Sequence, residues 1–253
     1  MYSESSEDYK IPLWESINES VRTQIRVAVK DFTENNPEEK EIEDEIIEKA
    51  LLREMYFVNE IQSTVNEIGS SEYRNNSKVI LFDIDETIGV YNHKTKSTTL
   101  RPSLSPVLNY LQEESFKIGI YSSRAKQSLL AQLGDSNQLQ SIARYIDTDL
   151  VFSSREEKMP MYTTSSDQGF EQLLIEYGDN KHILNRESIM KDKQVFFTQG
   201  DLTKIVGLSK IKEQLQDVAI ISVDDFLFPQ YLDRAHGLFG IALGKKDGSF
   251  HNF

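Results

Sequence analysis

A parallel-sheet α/β fold with helices on both faces, preceded by an N-terminal α-helical hairpin, is the fold class this sequence predicts. Short runs at residues 79–82, 117–121, 150–152 and 218–223 are rich in β-branched and aromatic residues. Helical patterns separate them, and strand–helix–strand alternation argues for parallel strands joined by crossover helices. Before residue 76 the apolar period is helical instead. The expected division is an acidic helical segment over 1–76 and an α/β domain over 77–253.

In the first expected helix Trp14, Ile17, Val21, Ile25, Ala28 and Phe32 recur at helical spacing. The second has start signals: Asn36 as a cap, Pro37 at the first helical position, and Glu38 and Glu39 near the positive end of the dipole. Its apolar face runs through Ile46, Ala50, Leu51, Val58, Ile61, Val65 and Ile68 to a stop at Gly69. At 1.5 Å per residue it would be about 45 Å long. Such a pair either packs on the neighbouring domain or serves as an arm for a protein partner or self-association. After the sheet strands, 238–243 adds an expected edge strand. Residues 157–196 break the alternation and read as a small insertion, with a helical pattern at 170–177.

Parallel sheets present functional groups at the carboxyl ends of their strands. The first run ends in Asp83-Ile84-Asp85-Glu86-Thr87. Two carboxylates two residues apart on a turn leaving a strand can aim at one site. Bound Mg²⁺ would hold Asp83 ionised as a nucleophile, Asp85 is placed to give and take a proton, and Thr87 can hydrogen-bond within the turn. The plainer alternative is an Asx-type turn with solvated acids. The second run ends in Ser122-Ser123-Arg124, whose hydroxyls either contact a phosphoryl group or cap a helix. The last ends in Asp224-Asp225, a pair suited to a hard cation or to a turn. A lysine is wanted to balance phosphate charge, and both Lys204 and Lys210 precede that strand.

Composition excludes several classes. No cysteine occurs in the 253 residues, so a disulfide scaffold, a thiolate metal site and a cysteine nucleophile are out. The net charge is −13, and residues 1–75 hold 18 Asp/Glu against 8 Lys/Arg. An acidic chain is a poor match for the cationic contacts of nucleic-acid binding. No run approaches the roughly 18 apolar residues of a membrane span. With a polar, acidic N-terminus that reads as neither signal nor transit peptide, the expected location is cytoplasmic, away from any membrane.

Phe82-Asp83-Ile84-Asp85-Glu86-Thr87-Ile88, Leu100-Arg101-Pro102 and Ile120-Tyr121-Ser122-Ser123, in this order, resemble the haloacid dehalogenase superfamily over about 78–243. More narrowly they resemble its branch of RNA polymerase C-terminal-domain phosphatases. Phe197-Thr198-Gln199-Gly200-Asp201-Leu202-Thr203-Lys204 is similar to the segment that carries that branch's lysine. Ser122 stands where the branch has Thr, and Asp225 where it often has Asn. The resemblance implies a Rossmann-like fold and a Mg²⁺-dependent phosphatase working through an aspartyl-phosphate. It implies Asp83 as nucleophile, Asp85 as acid/base, and Ser122 and Lys204 as phosphate contacts, with Thr87 and Ser123 beside them. Asp83, Asp224 and Asp225 would hold the metal, joined by the backbone carbonyl of Asp85.

Between Asp85 and Ser122 there is room only for a flap, about 88–100, and a helix, about 103–114. A site without a large cap there stays open, which favours a phosphorylated protein side chain over a small phosphate ester as substrate. The alternatives are a small-molecule phosphate monoesterase, a phosphotransferase and a non-catalytic scaffold that binds partners through the acidic helices.

Overall fold

The computed structural model describes residues 12–92, 94–155, 183–191, 199–226 and 228–243. The chain divides into two units, Met1–Gln62 and Ser63–Phe253.

In the first unit, α1 (Leu13–Asn35) and the start of α2 (Glu43–Ser70) form an antiparallel hairpin. Leu13 N–H donates to Gln62 Oε1 at the open end, and Thr33 Oγ1 donates to Glu43 Oε2 near the turn. The buried line of α1 is Ile17, Val21, Ile25, Val29 and Thr33. It follows the four-residue ridge that helices use to pack on one another, so Phe32, expected inside, is 48% exposed. The second helix also begins later than its start signals suggest. Pro37–Ile42 is a 3₁₀ turn with no buried residue, and the Asn36 side chain makes no cap bond. Instead, Asn36 Nδ2 donates back to Phe32 O. With nothing apolar in Glu38-Glu39-Lys40-Glu41 to bury, packing gives the α-helix no support until Glu43.

The second unit holds a five-stranded, all-parallel sheet in the order β5-β4-β1-β6-β7. The strands are β1 (Ser77–Phe82), β4 (Phe116–Ser122), β5 (Ile146–Ser153), β6 (Val218–Asp224) and β7 (Leu238–Ala242). Each expected strand is present. The flap is an antiparallel hairpin of β2 (Gly89–Asn92) and β3 (Ser97–Leu100), followed by α3 (Leu104–Glu113) and, after β4, by α4 (Lys126–Leu133). The expected helix at 170–177 lies outside the described residues. Within the insertion, α5 (Arg186–Lys191) is described, and α6 (Gln199–Gln214) then leads into β6.

Strand order decides which face each helix covers. From β1 the chain moves outward through β4 to β5, then returns past β1 to β6 and β7. Right-handed crossovers taken in opposite directions put their helices on opposite faces. On the α6 face, Val79, Leu81, Tyr121, Ile220 and Leu238 of the sheet pack with Leu202, Ile205, Leu208 and Ile211. The reversal lies between β1 and β6, where an open α/β sheet parts its loops into a crevice. Among the described residues, no helix is long and apolar enough to cross a membrane.

Candidate active site

The crevice between β1 and β6 gathers most of the residues singled out from sequence. Asp83 directly follows β1 and is pinned to β6, its N–H donating to Val223 O at 2.9 Å. Asp224 ends β6, and its Oδ1 accepts from Phe226 N at 3.0 Å, which closes the turn carrying Asp225. Ser122 ends β4, is fully buried and acts to lower the pKa of Asp83. The fourth wall is Lys204, in the first turns of α6 and only 1% exposed. Its Nζ donates to Asp224 Oδ2 at 2.6 Å and lies 4.8 Å from the Phe226 ring centroid. It is also 3.1 Å from Asp83 Oδ1, a contact of charge without hydrogen-bond alignment, since that oxygen accepts no hydrogen bond. Lys210, the other sequence candidate, is exposed.

Two features hold Lys204 in place. Tyr121, from β4, runs beneath α6 and donates its hydroxyl to Lys204 O at 2.6 Å. Gly207 makes room for it: a Cβ there would stand 2.2 Å from the Tyr121 hydroxyl. Asp201, buried one turn before Lys204, accepts from Phe228 N at 3.1 Å. That bond ties the start of α6 to the loop beyond Asp225, so cation and acids are set by one framework.

Burial dominates the electrostatics. It pushes Asp83 up to about 6; Lys204 pulls back and Asp224 adds to the rise. Burial likewise raises Asp224 to about 7, opposed by Lys204 and reinforced by Asp225. Asp225 rises to about 6 through burial and the charge of Asp83. For Lys204, burial acts to lower the pKa, but the carboxylates of Asp224 and Asp83 outweigh it and hold the ammonium above its usual range.

The donor set fits a hard divalent cation. Asp83, Asp224 and Asp225 each offer an oxygen, all within 4.8 Å of one another. Asp83 Oδ1 is buried without a hydrogen-bond donor. Fully ionised, the three acids exceed Lys204 by two charges, and all-oxygen ligation is what Mg²⁺ prefers.

All three acids have folded-state pKa values above the usual 3.8. In the metal-free protein their contribution is intact below pH 3.8 and is lost as pH rises through 6 to 7, because the folded state binds the extra protons. The thermal midpoint in chelator and high salt should therefore fall between pH 5 and pH 8. Excess Mg²⁺ should flatten that fall, and Asp225→Asn should reduce it. An identical fall with and without Mg²⁺ would contradict a cation site here.

The remaining sequence candidates sit elsewhere. Thr87 is fully buried, and its Oγ1 has no hydrogen-bond partner. Ser123 is exposed. The Asp85 carboxylate is outside the cluster and is gripped by Arg124, whose Nε donates to Oδ2 at 2.9 Å and whose Nη2 donates to Oδ1. Sequence reasoning gave Arg124 no role, although it stands two residues after Ser122. It also gave none to Arg101, which is buried and donates to the carbonyls of Thr87 and Glu86. Arg101 thereby braces a turn in which Glu86 adopts φ +59°, a left-handed conformation that disfavours a side chain.

No protein-family model matches the chain, and no curated protein matches it. Among solved structures it is similar to the class C acid phosphatase from Bacillus anthracis. The two are 12% identical over 84% of this chain and 86% of that one, with a TM-score of 0.32. A likeness that distant does not bear on activity.

Proposed function

We propose that this chain is a divalent-metal-dependent phosphatase of the haloacid dehalogenase type, with Mg²⁺ as its metal and Asp83 as its nucleophile. The observation that carries this reading is the buried cluster of Asp83, Lys204, Asp224 and Asp225 at the strand-reversal crevice. A fold has little reason to gather two buried acids and a partly buried third around one lysine without a charged ligand to receive.

When bound, the metal would be held by Asp83, Asp224 and Asp225, with the Asp85 carbonyl, and would neutralise phosphoryl oxygens. The side chains would do the rest. A carboxylate oxygen of Asp83 attacks phosphorus, and the bond from phosphorus to the leaving oxygen breaks. Asp85 supplies the proton that oxygen needs. Asp85 then removes a proton from water; the water oxygen attacks phosphorus, and the bond to Asp83 breaks to release inorganic phosphate. Lys204 balances the charge gathered on the phosphoryl oxygens, and Ser122 donates to them.

The flap supports a protein substrate. Between β1 and β4 the chain carries only the hairpin of β2 and β3 and the helix α3. Beside Asp85 this leaves an open cleft of about 480 Å³. A phosphorylated side chain on a surface loop can enter such a site without a cap having to close over it, as in the branch that the DxDET segment and flap resemble.

The test is phosphate release from 4-nitrophenyl phosphate, followed by a panel of phosphopeptides, sugar phosphates and nucleotides. Release is expected with Mg²⁺ and should fall at least about 100-fold in chelator, on the scale of several kcal/mol from the metal. Phosphopeptides should turn over faster than the metabolites. Equal release with and without metal would sink the metal-dependent reading, and faster turnover of sugar phosphates would overturn the protein preference.

A further inference from the structure

We propose that Arg124 selects phosphate monoesters whose leaving group carries a second anionic group, either a carboxylate or another phosphate. This rests on the phosphatase reading and adds to it the chemistry of the leaving group.

A cleft opens beside Asp85. It is lined by Asp85, Glu86, Val90, Tyr91, Arg124 and Gln132. Two of these are acids, and the chain as a whole carries −13. Left to them, the cleft would repel any anionic leaving group. Arg124 is the one cation among the described lining residues, and it is oriented with care. Its Nη1 donates to Gln132 Oε1 at 2.7 Å, and its guanidinium lies 5.2 Å from the Tyr91 ring centroid. Held by an amide on one side and a ring on the other, the planar fork of Nε and Nη2 faces a carboxylate. That fork matches carboxylate or phosphate in two-point contact, which a lysine could not do.

At present the fork holds Asp85 itself. The Asp85 side chain is 46% exposed and that of Arg124 is 18% exposed, so water reaches the pair. The contact is bidentate, but it is made to a carboxylate half open to water, where another anion can compete for the fork. An anion on the leaving group would therefore compete for the fork and displace Asp85. The displacement has a second effect: both Asp85 oxygens, now committed to Arg124, become free to turn toward the leaving oxygen. Recognition of the leaving group and release of Asp85 are then one event. Tyr91 and Val90, from the flap, would pack against the apolar part of the leaving group next to the phosphate.

The test compares binding and turnover in the full chain with Mg²⁺. Binding of benzylphosphonate and 4-carboxybenzylphosphonate is measured by calorimetry in wild type, Arg124→Gln and Arg124→Lys. The carboxyl group should tighten binding at least about tenfold in wild type, on the scale of one charge-assisted hydrogen-bonded pair. The gain should vanish in Arg124→Gln and be partial in Arg124→Lys. Equal gains in all three proteins would overturn the proposal, whether or not the chain turns over any ester. Turnover of benzyl phosphate against 4-carboxybenzyl phosphate reads the same ratio in kcat/KM. A chain that shows the binding selectivity but releases no phosphate would sink the phosphatase reading and leave the selectivity standing. Phosphoserine peptides with Asp or Ala beside the phosphoserine, set against a phosphorylated hydroxy acid and a bisphosphate, distinguish a peptide source of the anion from a metabolite source. Faster turnover of neutral than of anionic members throughout would also overturn it.

Discussion

Asp83→Asn is expected to abolish phosphate release, lowering kcat by about 10⁴-fold or more, while leaving the fold at least as stable as wild type in chelator. The first half follows from chemistry. An amide is a poor nucleophile, so the proposed acyl-phosphate route through Asp83 closes. The second half follows from burial. Asp83 is 4% exposed, and its pKa is raised to about 6 chiefly by burial, so above that pH the ionised carboxylate weighs against the folded state. Asn removes that charge with little change in volume. Lys204 keeps Asp224 at 2.6 Å, so the cation is not orphaned. The thermal midpoint at pH 8 in chelator should hold or rise, and the stabilisation conferred by Mg²⁺ should shrink. The combination separates a catalytic role from simple unfolding. Loss of activity together with a lowered midpoint would instead mark Asp83 as a structural acid, and activity within tenfold of wild type would remove it as nucleophile.

Much of this arrangement can be read from the sequence, because a parallel sheet writes itself plainly. Strands buried on both faces, such as Val79-Ile80-Leu81-Phe82, are continuous apolar runs. An acid right after such a run therefore stands at the carboxyl edge, where Asp83 and Asp224 are found. Lys204 needed one more step. It sits four and seven residues before Leu208 and Ile211, inside the apolar stripe of α6, whereas Lys210 does not share that stripe. A lysine at a core position is a flag for a buried partner, but the residues alone leave both lysines open, and it is the resemblance that singles out Lys204.

What the sequence hides are pairings across long separations. Arg124 and Asp85 are 39 residues apart and meet only because β1 and β4 are neighbours in the sheet. Arg101 reaches back 14 residues to brace the Asp85 turn. The late start of α2 was hidden for another reason. Start signals such as Asn36 and Pro37 are local, while the α-helix waits for residues that have something to pack against.

Lys204→Met tests the other half of the cluster and should show its largest effect on stability. The substitution keeps an unbranched stem beneath the Phe226 ring but removes the only ammonium in contact with Asp83 and Asp224 among the described residues. Breaking a buried pair leaves charge uncompensated, a loss of about 3–5 kcal/mol. The pH dependence identifies the cause. Without the lysine the acids bind protons more readily still, so the deficit should be largest at pH 8 in chelator and should narrow toward pH 5 as they neutralise. Mg²⁺ should recover part of the lost stability, because it satisfies the same carboxylates. It should not recover activity, which is expected to stay down about 10³-fold, since a charge contact on the phosphoryl oxygens is gone. Urea unfolding at the two pH values, with and without Mg²⁺, reads the first set of outcomes, and phosphate release reads the last. A deficit equal at both pH values would point to lost packing rather than lost charge balance. A variant that still turns over within tenfold of wild type would take Lys204 out of the phosphate path and leave it as a counter-ion to the acids alone.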